Sequence, residues 1–157
     1  MVDESFSTKS KRWSDIGFQG DCPATDFRGM GMLGAENLRY FVTSYQKLAV
    51  SILSSSLHPG HWYPFGVVGI NITGSLWRLL LDGSLKTHFY NSIPGAPVLA
   101  DLHEVYVCLF VKFNEFWMME SRDIMQFNNY LSSFEKSIKK KLQAEDFTFE
   151  SPPKETH

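Results

Sequence analysis

The stretch Thr25-Asp26-Phe27-Arg28-Gly29-Met30-Gly31-Met32-Leu33-Gly34 sets a guanidinium beside a run of glycines. Two chemistries use those residue types. Gly29, Gly31 and Gly34 follow the G-x-G-x-x-G spacing of a turn that lets a dinucleotide's pyrophosphate approach backbone N–H groups. A glycine-flanked arginine can instead be offered to an anion on another molecule, through its planar fork of donors. The dinucleotide turn needs a hydrophobic strand before its first glycine and a parallel sheet after it. Here Pro23-Ala24-Thr25-Asp26-Phe27-Arg28 reads as a turn entering a helix, and the later segments carry helical periodicity. The dinucleotide reading is set aside on that ground. From the residues alone, the glycines permit a tight entry and close helix packing, and Thr25 or Asp26 caps the helix. Arg28 then pairs with Asp26 or another carboxylate.

Other reactive types are scattered. His58-Pro59-Gly60-His61 puts two imidazoles in one loop beside Trp62, too few ligands for zinc, and reads as a turn with surface histidines. His88 and His103 lie in apolar segments and read as satisfied core or edge residues. Glu115 and Glu120 face solvent by helical spacing. No Ser/His/Asp or Cys/His arrangement is present to argue for nucleophilic catalysis. Cys22 and Cys108 are far apart and match no metal spacing. With no signal peptide at the start, they read as reduced thiols of a cytoplasmic protein.

The elements that must position these residues are helical. Leu38, Phe41, Val42, Tyr45, Leu48, Ala49, Ile52 and Leu53 recur at three- and four-residue steps from Met32, and Leu57-His58-Pro59-Gly60 stops that helix. The block Phe65–Leu81 opens with strand formers (Val67, Val68, Ile70, Ile72) and ends helical. It is read as one helix, with Gly83 suited to its carboxyl end. A short helix over Leu85–Tyr90 precedes the break Pro94-Gly95-Ala96-Pro97. A long amphipathic segment then runs from Leu99 to Trp117. Ser121 or Asp123 caps a last helix whose apolar face is Ile124, Phe127, Leu131, Phe134, Ile138 and Leu142. Lys139, Lys140 and Lys141 close it as a solvated helix end, with contact to an anionic membrane surface as the alternative. The expectation is an all-α domain of about five helices, with an ordered glycine- and aromatic-rich loop before the first.

Length and composition agree with one domain. The 157 residues are 43% hydrophobic and 20% charged, which allows one sizeable core. A net charge of −2 argues against a general nucleic-acid binder. The run Phe65–Leu81 carries Asn71 and Arg78 and is short for a bilayer crossing. Residues 1–12 read as a mobile arm, 13–144 as the helical domain and 145–157 as a disordered tail.

Taken over a longer span, Trp13 to Leu38 reads WSDIGFQGDCPATDFRGMGMLGAENL. This resembles the signature of the ELMO-domain (engulfment and cell motility) family. Trp13, Ile16-Gly17-Phe18-Gln19-Gly20, Pro23, Thr25-Asp26-Phe27-Arg28-Gly29 and Gly31 carry the match. Val68-Gly69-Ile70-Asn71-Ile72-Thr73, Leu85-Lys86-Thr87-His88-Phe89-Tyr90-Asn91 and Phe113-Asn114-Glu115-Phe116-Trp117 extend it to about Gln143.

The resemblance implies more than the residues do. One branch, the small ELMO-domain-containing proteins, activates GTPases of the Arf and Arl group and uses an arginine in this motif. The other, the larger engulfment scaffolds, partners Dock-type exchange factors and lacks that arginine. Arg28 aligns this chain with the first branch. It implies an inserted arginine finger with no independent catalysis. GTP and Mg stay on the partner GTPase, and the chain needs no cofactor or metal of its own. Trp13, Gly17, Phe18, Gln19, Gly20, Pro23, Thr25, Asp26, Phe27, Gly29 and Gly31 would support the finger. Asp26 orients it or caps the helix, Gln19 holds the loop or meets the partner, and Phe18 and Phe27 anchor the turn. The competing implication is a non-catalytic module that binds a small GTPase or a Dock-type exchange factor. Members of the activating branch also carry a helical region before the tryptophan motif, so residues 13–144 are expected to form the domain without those upstream helices.

Overall fold

The computed structural model describes residues 31–155. These residues are helical as the periodicities predict, and there is no strand among them. Helix α1 spans Gly31–Ser44, α2 Gln46–Ser56, α3 Phe65–Leu81, α4 Lys86–Ser92, α5 Leu99–Met118 and α6 Phe127–Leu142. A short 3-10 turn, Ile124–Gln126, leads into α6.

There are six helices here rather than five because the first periodic segment is bent into two. Tyr45 leaves the helical region, at φ −134° and ψ 50°. Neither proline nor glycine sits at the bend. Thr43 Oγ1 bonds instead to the Arg39 carbonyl at 2.8 Å, a back-bond of the kind that bends helices. The buried Tyr45 also sends its hydroxyl to Glu104 on α5, 2.6 Å away. Backbone bonds from Tyr45 N–H to Phe41 and from Ala49 N–H to Tyr45 span the bend, so the apolar stripe continues across it.

Helix α3 is the central element. It is apolar nearly all round and packs against α1 on one side and α5 on the other. Its β-branched first half is helical because burial on several sides overrides strand propensity. Gly83, at φ +80°, follows its carboxyl end as expected. Helix α5 begins with Asp101 accepting the Val98 N–H at 2.7 Å. It ends with Arg122 folding back, Nε and Nη2 donating to the Phe116 carbonyl at 3.1 and 3.0 Å. The guanidinium lies 3.9 Å from the centre of the Phe116 ring. Asp123, one of the two expected caps, accepts the Met125 N–H at 3.0 Å. Leu131, Phe134, Ile138 and Leu142 form the buried face of α6. Phe134 meets Phe113 edge-on at 5.5 Å, and Phe113 stacks on Trp117 at 5.8 Å.

Residues 145–155 differ from the disordered tail that their composition suggests. They form a strap across α4, α5 and the start of α2. Phe149 is buried, its ring 5.1 Å from that of His88 on α4, and its N–H donates to His88 Nδ1 at 3.1 Å. Lys154 Nζ pairs with Glu104 at 2.7 Å. Glu155 accepts the Lys47 N–H in the first turn of α2, where that helix has no side-chain cap of its own. Two phenylalanines and two charges anchor a segment whose acid- and proline-rich composition hides them.

Candidate functional site

Among the expected site residues, Arg28, Trp13, Gly17, Phe18, Gln19, Gly20, Pro23, Thr25, Asp26, Phe27 and Gly29 lie outside the described residues. Gly31 lies within them, as the first residue of α1. The structure therefore gives the platform from which the arginine segment departs.

Gly31 stands at φ +56°. A Cβ built there meets nothing within 4 Å among the described residues, so within them the requirement for glycine is conformational. An L side chain in this left-handed region costs roughly 1–2 kcal/mol. The backbone thus enters α1 through a turn that glycine tolerates, three residues after Arg28.

Below that turn, α1 is bolted to two other helices by buried polar groups. Asn37 is fully buried; its Nδ2 donates to Thr73 Oγ1 on α3 at 3.1 Å. Its Oδ1 lies 2.7 Å from His103 Nδ1 on α5, which assigns the ring proton to Nδ1. The His103 ring stacks on Tyr40 at 4.9 Å. Burial pushes the His103 pKa down, so the imidazole is held neutral. His88 is depressed by burial in the same way. Both histidines are satisfied core residues, as their apolar surroundings suggested.

Gly69 lets these helices close up. A Cβ there would sit 3.1 Å from the Tyr106 hydroxyl and 3.2 Å from both Leu38 and Phe110. Tyr106 donates to the Gly69 carbonyl at 3.0 Å, so the close approach is also hydrogen-bonded. Phe41 fills the remaining space, 5.3 Å from the Phe110 ring. The fold thus brings the Val68–Thr73 stretch against α1 at Asn37 and Leu38.

The far end of α1 is held by Glu104. Its carboxylate accepts from the Tyr40 and Tyr45 hydroxyls and from Lys154 of the strap. Partial burial raises its pKa. The bonds from Lys154, Tyr40 and Tyr45 outweigh that and hold it at about 2. Asn37, Thr73 and Glu104 were missed in the sequence because a buried polar side chain and an exposed one look alike there. The one available signal was their placement on otherwise apolar helical faces.

The reactive side-chain types of this platform are tied into structural contacts. Both buried histidines use Nδ1 for structural bonds, and burial pushes the Cys108 thiol up to about 11. No group of three or more His, Cys, Asp or Glu among the described residues is placed to hold a metal. His58 Nδ1 accepts the Gly60 N–H at 3.1 Å within its turn, and His61 Nδ1 lies 3.2 Å from the Glu120 carbonyl. Glu115 and Glu120 are exposed, as expected. Lys139 pairs with Asp82 at 2.8 Å, while Lys140 and Lys141 remain exposed. No helix among the described residues is long and apolar enough to cross a membrane. An open groove of about 620 Å³ runs between α5 and the strap, walled by Cys108, Val111, Lys112, Phe147 and Glu150.

Comparison with known proteins places this scaffold. The model of the ELMO/CED-12 family matches residues 2–131. ELMO domain-containing protein 1 of Bos taurus is 45% identical over 155 residues, which cover 87% of this chain and 48% of that protein. ELMO domain-containing protein 2 of Mus musculus is 48% identical over 131 residues, covering 83% and 45%. ELMO domain-containing protein B of Dictyostelium discoideum is 39% identical over 130 residues, covering 82% and 44%. The chain spans about half the length of the curated relatives it matches. No solved structure matches it significantly.

Proposed function

This chain belongs to the ELMO/CED-12 family, and from that premise we propose that it activates small GTPases of the Arf and Arl group, with Arg28 as an arginine finger supplied in trans. The reading rests on one observation. The chain keeps Thr25-Asp26-Phe27-Arg28-Gly29, the motif whose arginine marks the activating branch, directly ahead of the positive-φ Gly31 that opens α1.

The chemistry suits a guanidinium. As the bond to the γ-phosphoryl group of GTP breaks, negative charge spreads over the phosphoryl oxygens and the leaving group. An arginine inserted from a partner neutralises that charge and donates directional hydrogen bonds to it. Lysine offers a point charge without the planar fork. The partner GTPase holds GTP and Mg; this chain contributes the arginine and its rigid mounting. The bolts from α1 to α3 and α5 supply a stiff base for a segment that must present Arg28 without a large entropic cost.

Single-turnover GTP hydrolysis across a panel of Arf and Arl proteins tests the proposal. Stimulation on the order of 10³- to 10⁵-fold is expected at saturation, and its loss in Arg28→Lys. Equal stimulation by the lysine variant refutes the finger. Binding of the GTPase with no acceleration by the wild-type chain identifies the alternative, a non-catalytic interaction module.

A further inference from the structure

The strap carries Ser151-Pro152-Pro153-Lys154. A serine followed at once by proline, with a basic side chain three residues on, is the substrate pattern of proline-directed protein kinases. Such enzymes bind their substrate as an extended chain, and each proline fixes φ and disfavours helix in the residue before it. Residues 147–155 contain no helix or strand, and Ser151 is exposed.

The surroundings of Ser151 give its modification a consequence. Ser151 stands two residues after Phe149, whose N–H bonds to His88, on the stretch that carries the strap to Glu104. Glu104 holds Lys154, the basic residue of the pattern, at 2.7 Å. Glu104 in turn binds the hydroxyls of Tyr40 and Tyr45, at the bend between α1 and α2.

We propose that Ser151 is a phosphorylation site for a proline-directed protein kinase, and that the phosphate drives the strap off Glu104. In the transfer, Ser151 Oγ attacks the γ-phosphorus of ATP. The new O–P bond forms as the bond to the β-phosphate oxygen breaks. ADP leaves with that electron pair, and the hydroxyl proton passes to the kinase's catalytic carboxylate. The product carries a charge of about −1.5 to −2 where a neutral hydroxyl stood. Glu104 is ionised throughout the neutral range and offers no relief by taking up a proton. Phosphate and carboxylate also compete for the single ammonium of Lys154. The strap then loses its central ion pair, and the Phe149 N–H bond to His88 opens with it.

The test uses the full chain with ATP, Mg and a kinase of the cyclin-dependent type. Ser151→Ala and a free peptide of residues 145–157 run in parallel. Mass spectrometry locates the phosphate, and amide hydrogen exchange reads the strap at Phe149, whose N–H is bonded at 3.1 Å. The expected result is modification at Ser151 in chain and peptide, none in the alanine variant, and exchange at Phe149 faster by about tenfold or more after modification. Modification of the peptide but not of the chain would overturn the site, as would failure to modify either. Unchanged exchange in the modified chain would overturn the release. So would slower exchange, which would mean that the phosphate had found Lys112 or Lys154 and tightened the strap.

Discussion

Asn37 and His103 face each other across the α1–α5 interface, 2.7 Å from Oδ1 to Nδ1, and both are buried. Neither group has water to fall back on. Replacing Asn37 by alanine removes partners from both His103 and Thr73 and opens a small cavity. An unsatisfied buried polar group costs about 1–3 kcal/mol. Asn37→Ala is therefore expected to lower stability by about 2–3 kcal/mol in urea denaturation. The double variant Asn37→Ala with His103→Leu should lose less than the sum of the two single changes, because the second removes the orphan left by the first.

Acid should weaken the same core. Burial holds both His88 and His103 below the ordinary histidine value of 6.5 in the folded state. Below about 6.5 the unfolded chain takes up protons that the folded chain refuses, so stability falls as pH drops through that point. The loss levels off once the pH passes below the folded-state values. Asn at position 88 keeps an acceptor oxygen near the place of Nδ1 and does not titrate. His88→Asn is expected to flatten the slope between pH 7 and 5 in thermal melts while the strap stays in place. An unchanged slope would show that His88 contributes nothing to it.

Gly69 predicts a steric penalty rather than a conformational one. Its added Cβ would press on the Tyr106 hydroxyl and on Leu38 and Phe110, all well packed between α1, α3 and α5. Overpacking of this kind costs typically about 1–3 kcal/mol. Gly69→Ala should show that loss in urea denaturation, and pairing it with Leu38→Ala should recover part of it. Gly74→Ala is the control, because its nearest neighbour is the flexible guanidinium of Arg78 at 3.3 Å.

What the sequence revealed and what it hid divide along the range of the interactions. The helices, their stop at Pro59-Gly60 and the glycine at the end of α3 follow from local spacing and are present. The bend at Tyr45 is not local. It depends in part on Glu104, which belongs to another helix and has no neighbour signature. The strap was hidden for the same reason, since its anchors are His88, Glu104 and the start of α2. His103 was legible as a histidine on an apolar face, whereas its partner Asn37 was not. The finger role expected of Arg28 comes from the family resemblance; the residues by themselves favour a plain ion pair.

Gly31 links that arginine to the scaffold, and its substitutions separate conformation from space. Among the described residues no neighbouring group lies within 4 Å of an added Cβ, so a crowding argument there makes every small side chain neutral. The backbone argument ranks them instead, because φ is +56°. Asparagine visits the left-handed region more readily than alanine, and a β-branched residue is the worst fit. Stability should therefore fall in the order Gly31, Asn, Ala, Val, with alanine costing roughly 1–2 kcal/mol. If Arg28 acts as the finger, stimulation of GTP hydrolysis should follow the same order, because relieving the strain re-aims the chain three residues downstream of it. Equal melting temperatures across the series would remove the conformational role of Gly31. A graded loss of stability with constant stimulation would mean that the turn stabilises α1 without aiming the arginine.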